Sequence, residues 1–262
     1  EHPDRNDAWA AEERGKIGEE RFRREHECEF ITADETLIAP LKLVLLESQN
    51  AIRKTGEIRW YTTLKATSTY IIGLDPCIGT GSDYSAIEVF SLPGLQQVAE
   101  WQHNKTDVRK QILVLQEILD EIHKVQEDEN NIYYSIENNG IGKASIQVLE
   151  ELGLQNFYGV LVNEPKLRGQ KFYKGMVTTL NNKLEACARL KYFVENQKIK
   201  IYSRNLIKQL KVFVARGRSF AAKDGEHDDL VMAAVLCVRI VQTLTKHDEG
   251  AYEELIDPIG MD

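Results

Sequence analysis

Three apolar runs in this chain begin or end on a carboxylate, and that pattern limits the folds open to it. Asp75 closes Tyr70-Ile71-Ile72-Gly73-Leu74, and Glu137 closes Ile132-Tyr133-Tyr134-Ser135-Ile136. Asp228 and Asp229 open Leu230-Val231-Met232-Ala233-Ala234-Val235-Leu236. The first two runs read as buried strands and the third as a buried helix. A carboxylate at the end of such a run lies at the sheet edge on a rigid backbone, and several such ends can converge. Converging carboxylates repel, so they raise one another's pKa or recruit a hard cation. An all-oxygen set suits Mg2+ or Mn2+. The matching chemistry is two-metal phosphoryl transfer, the cutting of a nucleic-acid strand.

The charge distribution agrees with that chemistry although the total does not. The net charge is -8, yet residues 163–224 hold fifteen basic and four acidic side chains, for +11, and the remainder carries -19. A local positive field attracts phosphate whatever the global sign. Lys166, Arg168, Lys171, Lys174, Arg216 and Arg218 are the candidate DNA contacts. No apolar run approaches the roughly 20 residues of a membrane helix. Cys28, Cys77, Cys187 and Cys237 show no metal-ligand spacing and read as reduced thiols of a cytosolic protein. The chain opens at Glu1 in mid-pattern, so a piece of a longer protein is expected.

Along the chain, residues 1–64 read as a linker or docking segment. Helices are expected through Trp9 and over 19–27, with Gly15 and Gly18 breaking them apart. Strands are expected over 67–75, 84–92 and 95–103, the last two joined by Pro93-Gly94. Val108, Ile112, Leu115, Leu119 and Ile122 share one helical face. A fourth strand ends at Glu137, a helix over 141–152 stops at Gly153, and a fifth strand is expected over 157–162. Helices over 176–195 and 204–210, a hairpin over 213–222 around Arg216-Gly217-Arg218, and a buried helix over 228–245 complete the domain. The tail over 247–262 reads as acidic and mobile. This order describes an α/β fold, a mixed sheet flanked by helices.

Each motif has a structural alternative. Asp75 in Gly73-Leu74-Asp75-Pro76 also suits a turn, and Glu137 precedes the breaker Asn138-Asn139-Gly140. Asp228 or Asp229 suits a helix N-cap. Gly79-Thr80-Gly81-Ser82 lacks the Gly-Lys-Ser/Thr ending of a phosphate loop and leads into a strand. Asp83, in the same segment, is a candidate supporting carboxylate near Asp75, or a surface turn residue. His227 reads as a structural neighbour of the aspartates more readily than as a ligand.

Three stretches resemble the nuclease domain of tailed-phage large terminases. They are Gly73-Leu74-Asp75-Pro76 with Gly81-Ser82-Asp83-Tyr84-Ser85-Ala86, then Ile136-Glu137-Asn138-Asn139-Gly140, then Gly225-Glu226-His227-Asp228-Asp229-Leu230-Val231-Met232-Ala233. Trp9, Ile17-Gly18-Glu19, Arg21-Phe22-Arg23 and Cys28-Glu29-Phe30 look like the end of the terminase ATPase domain and its linker. The resemblance implies an RNase H-like domain over 65–246. It implies a metal-dependent endonuclease with Asp75, Glu137, Asp228 and Asp229 as catalytic and metal-binding carboxylates.

The expected reaction is hydrolysis of double-stranded DNA without strong sequence preference, with two Mg2+ or Mn2+ ions sharing Asp75. By resemblance the partners are a portal ring, a small terminase subunit and other motor copies, in the cytoplasm of an infected host cell. No Walker A sequence is present, so ATP hydrolysis is not expected. The competing readings are an RNase H-like transposase or junction resolvase, and a non-catalytic DNA-docking module.

Overall fold

In β3 (Thr69–Asp75) successive side chains point to opposite faces, and nearly all are buried. Tyr70, Ile72 and Leu74 join one apolar cluster and Ile71 joins another. A strand apolar on both faces needs cover on both, and helices supply it. The computed structural model describes residue 9 and residues 13–16, 35–165 and 172–245. Among these, β1 (Arg53–Thr55), β2 (Ile58–Trp60), β4 (Ser85–Leu92), β5 (Gln96–His103), β6 (Ile132–Ile136) and β7 (Val160–Leu161) join β3 in a seven-stranded sheet. Its order is β1-β2-β5-β4-β3-β6-β7. β3–β6 and β6–β7 are parallel, and the other pairs are antiparallel.

After a short helix α1 (Pro40–Val44), helix α2 (Val108–Gln126) starts where the Asp107 side chain accepts the Lys110 N–H. Its face of Ile112, Leu115, Ile118, Leu119 and Ile122 is buried with α3 (Gly142–Leu152) against one side of the sheet. The other side receives α4 (Leu180–Glu195), α5 (Arg204–Val212) and α6 (Asp229–Thr245). β8 (Phe213–Arg216) and β9 (Ser219–Ala222) form a separate hairpin turning at Gly217. Among the described residues no helix is long and apolar enough to cross a membrane. Cys77, Cys187 and Cys237 are free and buried.

Several expectations need correction. The sheet reaches back to Arg53, into the segment read as a linker, and Leu37, Ile38 and Leu43 enter the core. The signal there was only Ile58 and Trp60 alternating with Arg59, too short to stand out. The fifth strand shrinks to β7, since residues 157–159 stay out of the ladder and Gly159 turns the chain with a φ of 99°. Helix α4 starts at Leu180, where Thr179 and Asn182 form a reciprocal cap. Before it, Met176 bridges Glu137 as extended chain. Gly15 lies within helical residues 13–16, while Gly18, residues 19–27 and the tail lie outside the described residues.

Candidate active site

The parallel pairing of β3 with β6 sets the site. It aligns Leu74 with Ile136, and the Glu137 N–H donates to the Leu74 carbonyl at 2.9 Å. Asp75 and Glu137 therefore leave adjacent strands at the same carboxyl edge, the usual ligand side of such sheets. An antiparallel pair would have sent them to opposite ends. On its far side Glu137 is bracketed by the Met176 N–H to Ile136 and the Asn138 N–H to Met176, at 3.0 and 2.8 Å. Asn138 and Asn139 tie the same chain down through their amides, to the Lys174 and Thr178 carbonyls. Gly142 is required here, since a Cβ on it would lie 1.7 Å from the Glu137 carbonyl oxygen.

Helix α6 brings the aspartates to that edge. It crosses β3 so closely that a Cβ on Gly73 would lie 2.6 Å from the Ala233 carbonyl oxygen. Its first-turn N–H groups, those of Leu230 and Val231, donate to Gln209 Oε1 at 2.8 and 3.4 Å. That glutamine does the capping the sequence offered to the aspartates. Asp228 Oδ2 instead accepts the Ala222 N–H at 3.1 Å. Asp229 Oδ2 is buried with no hydrogen-bond partner, and His227 Nδ1 stands 3.7 Å away.

The electrostatics follow from that crowding. Burial, then repulsion from Glu137 and the hydrogen bond that a protonated Asp75 donates to it, then Asp229 and Asp228, hold the Asp75 carboxyl well above the usual carboxylate range. Asp229 is pushed up to about 6, first by burial and next by Asp228, with His227 pulling the other way. Exposed Asp83 adds to the repulsion on Asp229, so it lies within reach of the cluster. Among the described residues no three His, Cys, Asp or Glu side chains already form a metal-binding group. The donors are all oxygen, one of them orphaned, and they carry excess negative charge, which fits a hard divalent cation.

The expected DNA contacts are scattered. Lys166, Arg168 and Lys171 lie outside the described residues. Lys174 pairs with Glu150, and Arg216 pairs with Asp224 at 2.9 Å. Arg216 and exposed Arg218 occupy the hairpin tip. The tip is roughly 10 Å along the strands from the Ala222 end that touches Asp228. Tyr84, within the first terminase-like stretch, and Arg59 carry no expected role in the sequence, yet both border this region. Tyr84 meets the His227 ring edge-on at 4.8 Å. Arg59 went unnoticed because its segment was read as a linker.

Residues 72–238 match the family model described as the Terminase RNaseH-like domain. Solved structures resemble the fold. The large terminase nuclease of thermophilic phage G20c with bound magnesium is 17% identical, covers 79% of this chain and 98% of its own, and has a TM-score of 0.59. The Thermus phage P74-26 large terminase nuclease domain is 17% identical over 84% and 97%, with a TM-score of 0.54. The human cytomegalovirus terminase nuclease domain, manganese-soaked and inhibitor-bound, is 13% identical over 82% and 97%, with a TM-score of 0.51.

Proposed function

The chain belongs to the terminase RNase H-like domain family, and we propose that it is a divalent-metal-dependent endonuclease. Its substrate is double-stranded DNA, cut without strong sequence preference during viral genome packaging. The observation that carries this reading is the Glu137 N–H bond to Leu74, which sets Asp75 and Glu137 at neighbouring strand ends, where Asp75 also feels the charges of Asp229 and Asp228.

Asp75, Glu137, Asp228 and Asp229 would hold two Mg2+ or Mn2+ ions, with Asp83 as a supporting carboxylate. When bound, the ions supply Lewis acidity to the phosphodiester and to the water that attacks it. The protein's part is to keep the carboxylates rigid. The Met176 and Leu74 bonds immobilise Glu137, and the Ala222 N–H orients Asp228. The orphaned Asp229 oxygen is a ready acceptor. Cys77, the nearby thiol, is no rival nucleophile. It is buried, and burial first, then Asp229, Asp83 and Asp75, push its thiol up, away from thiolate.

Within this reading the partners are DNA, a portal ring, a small terminase subunit and other motor copies, in the cytoplasm of the infected host cell. Plasmid digestion tests the reaction. Nicked and linear products with Mg2+ or Mn2+, and none with chelator, are expected. Intact plasmid under all conditions refutes it. Strand joining or junction preference would instead favour a transposase or resolvase. A calorimetric titration with no Mn2+ binding would favour a docking module.

A further inference from the structure

A cleft of about 290 Å³ borders the carboxylate edge. Its walls are Arg59 on β2, Tyr84 and Gln102 from the β4 and β5 ends, Asn205 and Lys208 on α5, and His227 before α6. His227 joins the cleft to Asp229, and Gln209, another wall residue, caps the helix that begins there. A larger cavity, about 550 Å³, is lined by Thr67, Ser68, Tyr70 and Ser91 among others, so it lies at the start of β3, away from Asp75.

Arg59 is built into the cleft. Its Nη1 lies 3.5 Å from Glu100 Oε1, and that carboxylate is 1% exposed. The Tyr61 hydroxyl donates to the same oxygen at 2.8 Å. A guanidinium has five N–H donors, so one long contact from beneath orients the group and leaves donors for a ligand. Lys208 is largely exposed, with Glu226 Oε2 3.6 Å from its Nζ. Two cations with the amides of Gln102 and Asn205 suit phosphate oxygens and sugar hydroxyls, the contacts that position a backbone without reading bases.

We propose that this cleft between β2 and α5 is the track for one DNA strand beside the cut, with Arg59 and Lys208 each holding a backbone phosphate. The assignment rests on the nuclease reading above and adds the substrate path to it. Glu226 then opposes binding, because it offsets Lys208 and repels phosphate.

Fluorescence anisotropy of a labelled duplex across a salt series, with the full chain in chelator, tests the track. Plasmid cutting in Mn2+ runs alongside. Arg59→Gln with Lys208→Ala should lower the salt slope by about two, at about 0.9 per lost phosphate contact. Lys208→Ala alone, at an exposed position that the fold does not need, should lower it by about one. Glu226→Gln should tighten binding several-fold at low salt, a sign that mere structural damage would not produce. Lys124→Ala, on the α2 side of the sheet, should change nothing. If wild type binds and cuts, but the double variant and Glu226→Gln match it in affinity and slope, the track is overturned and the reaction stands. If wild type neither binds nor cuts, both fall.

Discussion

Asp75 and Glu137, separated in sequence by a hairpin and a helix, stand side by side at the ends of adjacent parallel strands, where the Glu137 N–H donates to the Leu74 carbonyl at 2.9 Å. Burial first, and then repulsion from Glu137, hold the Asp75 carboxyl above the usual carboxylate range when no cation is there to offset the charge. That strained arrangement has measurable consequences.

Asp75→Asn should abolish plasmid cutting, by at least about a thousandfold, or about 4 kcal/mol of barrier. It should leave the fold intact. Without metal it should raise the melting temperature by a few degrees, since one repelling charge is gone. Cutting at the wild-type rate by a pure preparation would sink the assignment.

The metal-free chain should lose stability as pH rises from about 4 to about 6. The folded Asp229 pKa, about 6, lies above its ordinary 3.8. Between those values the folded state holds the extra proton, so raising pH favours unfolding. Above the folded value Asp229 contributes no further loss. Saturating Mn2+ prefers the ionised carboxylates and should flatten or reverse the trend. Denaturation midpoints measured against pH, with and without Mn2+, decide it. A flat metal-free profile would contradict the buried, repelled aspartate.

Gly73→Ala should destabilise the protein by about 1–3 kcal/mol, because the new methyl meets the Ala233 backbone and the latter cannot swing aside. The melting temperature should drop by about 2–4 °C per kcal/mol. Since α6 carries Asp229, cutting should weaken with it. An unchanged melting temperature would mean that α6 rides higher on the sheet than the contact requires.

Arg216→Ala with Arg218→Ala tests the hairpin tip. If both arginines touch the backbone, affinity should fall about equally for all sequences, and the salt slope should drop by about one to two units. Arg216 must first give up Asp224, an exposed pair worth little. An unchanged slope would remove the tip from the DNA path.

The strands that carry the carboxylates were legible because each is a dense apolar run with its own stop signal. The face of α2 was legible from its spacing, since Ile112, Leu115, Leu119 and Ile122 are buried as expected, while Val108 at its first turn is only half-buried. β1 and β2 were not, because three-residue strands carry too little periodicity, and only the pairing of β2 with β5, and of β1 with β2, makes them part of the sheet. Residues 176–179 read as helix because local propensity cannot register the bonds that Met176 and Thr178 form with the Glu137–Asn139 turn.

By itself the sequence determined that the dense apolar runs are buried, which carboxylates end them, and the main turns between them. These are local properties of side-chain chemistry and spacing. Tertiary structure alone decided that β6 lies parallel to β3, that Gln209 takes over the cap of α6, and that Arg59 comes to face Lys208 across a cleft. Each depends on partners far apart in the chain, whose meeting is set by how the helices cover both faces of one sheet.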